Sequence, residues 1–199
     1  MPNWPSYLAL GDSLTAGRDD PGPDGSRIGW ARRLALILST RTAVPCALTN
    51  LAEDGASVTA VLHGQLPWVA RMNPDLVSVT VGMNDIRDPG FDPDRFAADL
   101  ARLLDGLTAT GATVLTCTLP DIAGIMPLPA DLVDIARQRM RQASDVIREQ
   151  ASARRALCLD TWAMPAAADP ALLGPDRIHP NASGHQLMAA AFADLLLAG

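Results

Sequence analysis

The stretch Tyr7-Leu8-Ala9-Leu10-Gly11-Asp12-Ser13-Leu14 decides how this chain folds. Residues 7–10 read as a short strand, and Gly11-Asp12-Ser13 ends it with turn-forming residues. Four more short apolar runs follow, at residues 44–48, 76–81, 112–117 and 156–159, with segments of helical period between them. That alternation predicts repeated βα units and a five-stranded parallel sheet, α/β in class, covered by helices on both faces.

The helical segments differ in clarity. Asp92 is an N-cap residue with Pro93 at the first helical position, and Phe96, Leu100, Leu103 and Leu107 form the apolar face before Gly111 ends the segment. A second helix carries Leu132, Ala136, Met140, Ala143 and Ile147 on one face, with Arg137, Arg139, Arg141 and Arg148 expected on a solvated surface. The last runs over residues 183–197, with Leu187, Ala191 and Leu195 as its expected buried stripe. Two long Pro- and Gly-rich loops, residues 18–27 and 119–129, are long enough to expect a role in function, the second as an apolar wall for an acyl group.

At 199 residues, 48% hydrophobic and 19% charged, the chain is expected to form one domain over residues 1–199. All 16 basic residues are arginine, which excludes a Schiff-base lysine, a lysine general base and a phosphate-loop lysine. The formal charge of −6, without a basic run, argues against a nucleic-acid partner. Cys46, Cys117 and Cys158 are odd in number and sit in apolar stretches, so they read as small buried hydrophobes and not as disulfides. No basic region precedes the first apolar residues and no apolar run nears 18 residues, which predicts a cytoplasmic protein without an integral membrane segment.

In an open parallel sheet, ligands bind beyond the carboxyl ends of the strands. The residues there are Gly11-Asp12-Ser13-Leu14 after the first strand, Glu53-Asp54-Gly55 after the second and Gly82-Met83-Asn84-Asp85 after the third. Asp176-Arg177-Ile178-His179 stands ahead of the final helix. Together these supply the parts of acyl transfer. A serine hydroxyl becomes a good nucleophile only when a neighbouring imidazole takes its proton, and a carboxylate must hold that imidazole in one tautomer. Ser13 is the candidate nucleophile, His179 the general base and acid, and Asp176 the orienting carboxylate. The N–H groups of Ser13 and Gly55 and the amide of Asn84 are the candidate oxyanion donors.

These four blocks resemble the SGNH, or GDSL, hydrolase family, whose motifs correspond here to Gly11 through Leu14, Gly55, Gly82 through Asp85, and Asp176 through His179. The resemblance implies a three-layer α/β/α sandwich of flavodoxin type and serine-dependent hydrolysis of carboxylic esters through an acyl-enzyme, with no metal and no cofactor. Acyl esters, thioesters and acetylated carbohydrates are the substrate classes. Two other readings are an acyltransferase using the same site and a noncatalytic ligand-binding domain, the latter expected to carry broken motifs. Each residue also has a plain structural reading: Ser13 as a helix cap, Gly55 as a turn glycine, Asn84 as a cap, and His179 and Asp176 as loop residues. Their occurrence together in the family's order favours catalysis.

Around this site, Arg87 is a candidate for an anionic substrate group, while Trp68 and Trp162 either line the cleft or belong to the core. His63 and His185 are not expected to act, and no metal-ligand or dinucleotide motif is present.

Overall fold

The computed structural model describes residues 3–198. Five strands form one parallel sheet: β1 (Ser6–Gly11), β2 (Ala47–Asn50), β3 (Leu76–Thr80), β4 (Thr113–Cys117) and β5 (Leu157–Leu159). Their spatial order is β2-β1-β3-β4-β5. The order reverses between β1 and β3, which opens a crevice at their carboxyl ends. Four strands lie within one or two residues of the sequence expectation. β2 is displaced by three because Pro45 has no N–H to give a ladder, and the preceding helix ends on left-handed Ala43.

Seven helices surround the sheet among the described residues: α1 (Gly29–Thr42), α2 (Val58–Ala60), α3 (Leu66–Met72), α4 (Met83–Arg87), α5 (Pro93–Thr108), α6 (Ala130–Ala153) and α7 (Ala182–Ala198). A π-type turn, Val61–Gln65, joins α2 to α3. α1 and α7 pack together on one face, α5 and α6 on the other. The strands alternate to match. Leu8, Leu10, Val77, Val79 and Val114 point into the α5/α6 core, while Tyr7, Ala9, Leu76 and Leu115 point into the α1/α7 core. This is the expected three-layer arrangement.

The helix expectations hold for α5, where Asp92 accepts hydrogen bonds from the N–H groups of Asp94 and Arg95 and the four expected apolar residues are buried. In α7 the buried stripe is Met188, Ala189, Phe192, Ala193 and Leu196, not Leu187, Ala191 and Leu195. Phe192 stacks on Trp30 of α1 with ring centres 4.7 Å apart, and that contact sets the helix rotation. α6 buries Met140, Ala143 and Ile147 but leaves Leu132 at 42% exposure, because its first turns project past the sheet.

Its arginines are also less free than expected. Arg139 donates to the carbonyl oxygens of Ile86, Asp88 and Pro89, gathering the chain that follows α4, and Arg148 pairs with Asp145 and Asp160. The three cysteines are free thiols, with Cys117 buried and Cys46 and Cys158 half-buried.

Candidate active site

β1 delivers Asp12 and Ser13 to the crevice through a turn that requires glycine. Gly11 has φ +135°, and a Cβ there would lie 2.4 Å from the Thr80 carbonyl oxygen. Its peptide is also fixed by the buried Gln65 amide, which accepts from the Gly11 N–H at 2.8 Å and donates to the Gly11 carbonyl at 2.9 Å. The backbone leading into the serine is thus anchored through both its N–H and its carbonyl.

Ser13 is only 7% exposed. Its Oγ lies 2.7 Å from His179 Nε2, and His179 Nδ1 lies 2.6 Å from Asp176 Oδ2. Asp176 Oδ1 accepts the backbone N–H groups of Ile178 and His179, so the carboxylate is oriented from two sides. Burial raises the Asp176 carboxyl, but these hydrogen bonds outweigh it and hold the group below the ordinary aspartate range. Asp19, which the sequence reading did not single out, brings a further carboxylate to the same place: ligand-type atoms of Asp19, Asp176 and His179 lie within 4.8 Å of one another.

Asn181 is another residue missed from the sequence. Its Oδ1 accepts the N–H groups of Ser183 and Gly184 at the start of α7, while its amide donates to the carbonyls of Ala171 and Leu173. Gly174 N–H donates to the His179 carbonyl at 2.7 Å. One asparagine therefore ties the histidine loop to the segment before it. A polar residue just ahead of a helix was the available signal.

The candidate oxyanion donors come from three loops. Gly55 has φ +84°, a conformation suited to glycine. Its turn is held by Arg27, whose guanidinium forks onto both oxygens of Asp54 at 2.5 and 2.9 Å, with Arg18 3.7 Å from the same carboxylate. The Arg27 hydrogen bond leads in keeping Asp54 below its usual range. The loop of residues 18–27 is pinned in turn by Asp20, which is buried, pairs with Arg33 and accepts the Gly29 N–H. Among the described residues, the N–H groups of Ser13 and Gly55 donate to no protein acceptor.

Asn84 sits at the start of α4, beyond β3. Its Nδ2 donates to Asp12 Oδ2 at 3.2 Å and to the Ala56 carbonyl at 3.1 Å. Both are long, so either can be released or shared when a stronger acceptor arrives. Asp12 is thus the residue that aims Asn84, and it also accepts the Leu14 N–H. Only 4% exposed, its carboxyl is pushed by burial up to about 7. Asp85 has a separate duty, accepting the Val58 N–H with both oxygens and capping α2.

A cavity of about 180 Å³ opens beside Ser13 and His179. Arg87, the candidate for an anionic substrate group, is exposed and is among the residues that line it. Leu119 and Pro120 reach the cavity, but Ile122 and Ala123 turn into the core, so the loop of residues 119–129 is not the main wall. That wall comes from three 3₁₀ turns, Thr161–Ala163, Pro165–Ala168 and Pro170–Leu172, none of which the sequence reading identified. Trp162 packs against the core, and Trp68 is exposed beneath Arg71; neither lines the cavity. His63 is exposed. His185 is fully buried, its Nε2 donating to the Arg18 carbonyl.

The model of the GDSL-like lipase/acylhydrolase family matches residues 9–187. An acetylxylan esterase of Geobacillus stearothermophilus is 28% identical over 200 residues, covering 93% of this chain and 90% of that protein. A GDSL lipase of Mycobacterium tuberculosis is 30% identical over 202 residues, covering 94% and 79% respectively. Among solved structures, an α/β hydrolase from the metagenome of Lake Arreo, Spain, superposes with a TM-score of 0.78 at 24% identity, over 98% of this chain and 96% of that one.

Proposed function

The chain belongs to the GDSL-like lipase/acylhydrolase family and is an ester-bond hydrolase; from that premise we propose that Ser13, His179 and Asp176 carry the reaction. The observation that supports this most is the unbroken hydrogen-bond chain from Ser13 Oγ through the His179 ring to Asp176, at 2.7 and 2.6 Å. Ser13 Oγ attacks the ester carbonyl while His179 Nε2 takes the hydroxyl proton. The tetrahedral oxyanion is received by the N–H groups of Ser13 and Gly55 and by the Asn84 amide, which gives up one of its long hydrogen bonds. Collapse breaks the carbon–oxygen bond to the alcohol, and His179 protonates the departing oxygen. Water then attacks the acyl-serine, gives its proton to His179, and releases the acid with Ser13 restored.

Asp176 accepts from Nδ1, which keeps Nε2 free as the proton acceptor and stabilises the imidazolium formed on attack. Arg87, at the cavity edge, is placed to meet an anionic part of a substrate. The name of the Geobacillus relative brings acetylated carbohydrates into the set of substrates to assay. No helix among the described residues is long and apolar enough to cross a membrane. The proposed organisation is one domain over residues 1–199 in a cytoplasmic setting, which the three free thiols support.

Partitioning tests the acyl-enzyme. Two esters sharing an acyl group but differing in leaving group are hydrolysed with a fixed concentration of added alcohol. A common acyl-serine gives one ratio of new ester to free acid from both substrates. Ratios that differ between them contradict the mechanism.

A further inference from the structure

Beyond the catalytic residues, the cavity carries information about the substrate. Its apolar lining includes Leu119, Leu159, Met164, Leu172, Leu187 and Met188. Three threonines also face it, yet their hydroxyls are already committed to the protein. Thr80 Oγ1 and Thr15 Oγ1 bond to each other at 2.6 Å. Thr118 Oγ1 donates to Asp160 at 3.0 Å and accepts the Trp162 N–H at 3.0 Å, and Thr161 Oγ1 donates to the Thr118 carbonyl. All three threonines are buried. Their hydroxyls are thus already engaged in the fold.

Arg18, Asn84, Arg87 and His179 line the same cavity, so polar partners are available around Ser13, but a sugar hydroxyl placed among the apolar side chains would lose its water without a new partner. An alkyl chain loses nothing polar. Size gives the length. An apolar cavity of about 150 Å³ is known to hold benzene, six carbons; the roughly 180 Å³ here is shared between the surroundings of Ser13 and the apolar lining, and still exceeds the needs of an acetyl methyl by several methylenes. We infer that this cavity is an acyl pocket for a linear aliphatic chain of about six carbons, its length set by the turn segment 161–173, with any carbohydrate confined to the leaving-group side. The inference rests on the proposed serine mechanism, since the pocket is defined relative to Ser13.

Asn181 and the helix start it caps fix the end of this segment, residues 171–173. Its amide holds the Ala171 and Leu173 carbonyls, and its own N–H donates to the Leu172 carbonyl at 2.9 Å. The Leu172 carbonyl in turn sits so close to α7 that a Cβ on Gly184 would lie 2.3 Å from it.

The test is kcat/KM for nitrophenyl acetate, butyrate, hexanoate, octanoate and laurate, with a per-acetylated sugar as a further arm. Each methylene buried up to about six carbons is worth about four-fold, which gives a rise of roughly two-hundred-fold over the four methylenes from acetate to hexanoate before the series turns over. Ala167→Phe and Leu172→Trp, which fill the cavity from the turn segment, should each lower the hexanoate-to-acetate ratio at least ten-fold, with thermal unfolding confirming that the variants are folded. Acetate turned over as well as hexanoate, or the acetylated sugar preferred to both, overturns the pocket and leaves the ester hydrolase reading standing. An unchanged ratio in both folded variants overturns the role of residues 161–173. If no ester in the series is hydrolysed, the serine mechanism fails and the pocket with it.

Discussion

The two sides of the cleft are built on opposite rules. On the side proposed to receive the oxyanion, Asp12, Gly55 and Asn84 stand on loops that leave β1, β2 and β3, and each loop is held by named partners: Gln65 at Gly11, Arg27 at Asp54, Asp12 at Asn84. On the facing side three 3₁₀ turns present methionine, alanine and leucine, the last of them held through its backbone by Asn181. The first side depends on particular atoms at particular places; the second needs only apolar volume. Substitutions should therefore differ in kind across the cleft: loss of a polar group removes transition-state stabilisation, whereas loss of wall volume changes which substrate fits.

The largest effect belongs to the nucleophile. Ser13→Ala should lower kcat by about 10⁴- to 10⁶-fold with little change in the unfolding temperature, measured by steady-state hydrolysis and calorimetry. Asn84→Ala should follow, with kcat down by about 10²- to 10³-fold and KM little altered, as for a donor that acts on the oxyanion. A variant with wild-type kcat would remove Asn84 from the oxyanion hole. Across the cleft, Met164→Ala should cost roughly ten-fold in kcat/KM for hexanoate, smaller than either polar change. A wall substitution that costs as much as Asn84→Ala would dissolve the contrast between the two sides.

The smallest effect is on stability and its pH dependence. Asp12 titrates at about 7 in the folded chain against an ordinary value of 3.8. Between those values the unfolded chain has released the proton while the folded chain still holds it, so the native state becomes less stable as pH rises through that window. Above about pH 7 both states are ionised and the decline stops. Asp12→Asn keeps an acceptor for Asn84 and cannot ionise, so its unfolding temperature should rise relative to wild type between pH 5 and pH 8, by a few degrees. A difference that does not change with pH would mean that Asp12 is not held protonated by burial.

The same contrast explains what was legible in the sequence. Ser13, Gly55, Asn84, Asp176 and His179 could be proposed from the sequence because acyl transfer demands such groups; the first three follow apolar strand runs, and the last two stand just ahead of the final helix. The turn segment carried no such signature: Pro165 and Pro170 punctuate it, but its alanines and leucines fit a helix, a loop or a wall equally well. α7 misled for a related reason. It is apolar on most sides, so periodicity alone does not fix its buried stripe, and the stacking of Phe192 on Trp30 decides it instead. Arg139 shows the limit for charge. Its three carbonyl partners, Ile86, Asp88 and Pro89, lie about fifty positions away in sequence, and only the packing of α6 beside α4 brings them together.

The central claim is that Ser13 is the group activated by His179. Incubation with a fluorophosphonate, followed by intact mass and peptide mapping, addresses it most directly. One phosphonyl group per chain, located on Ser13 and lost in both Ser13→Ala and His179→Ala, is the predicted result. Labelling elsewhere in the chain, or labelling of Ser13 that persists at the wild-type rate without His179, would contradict the account.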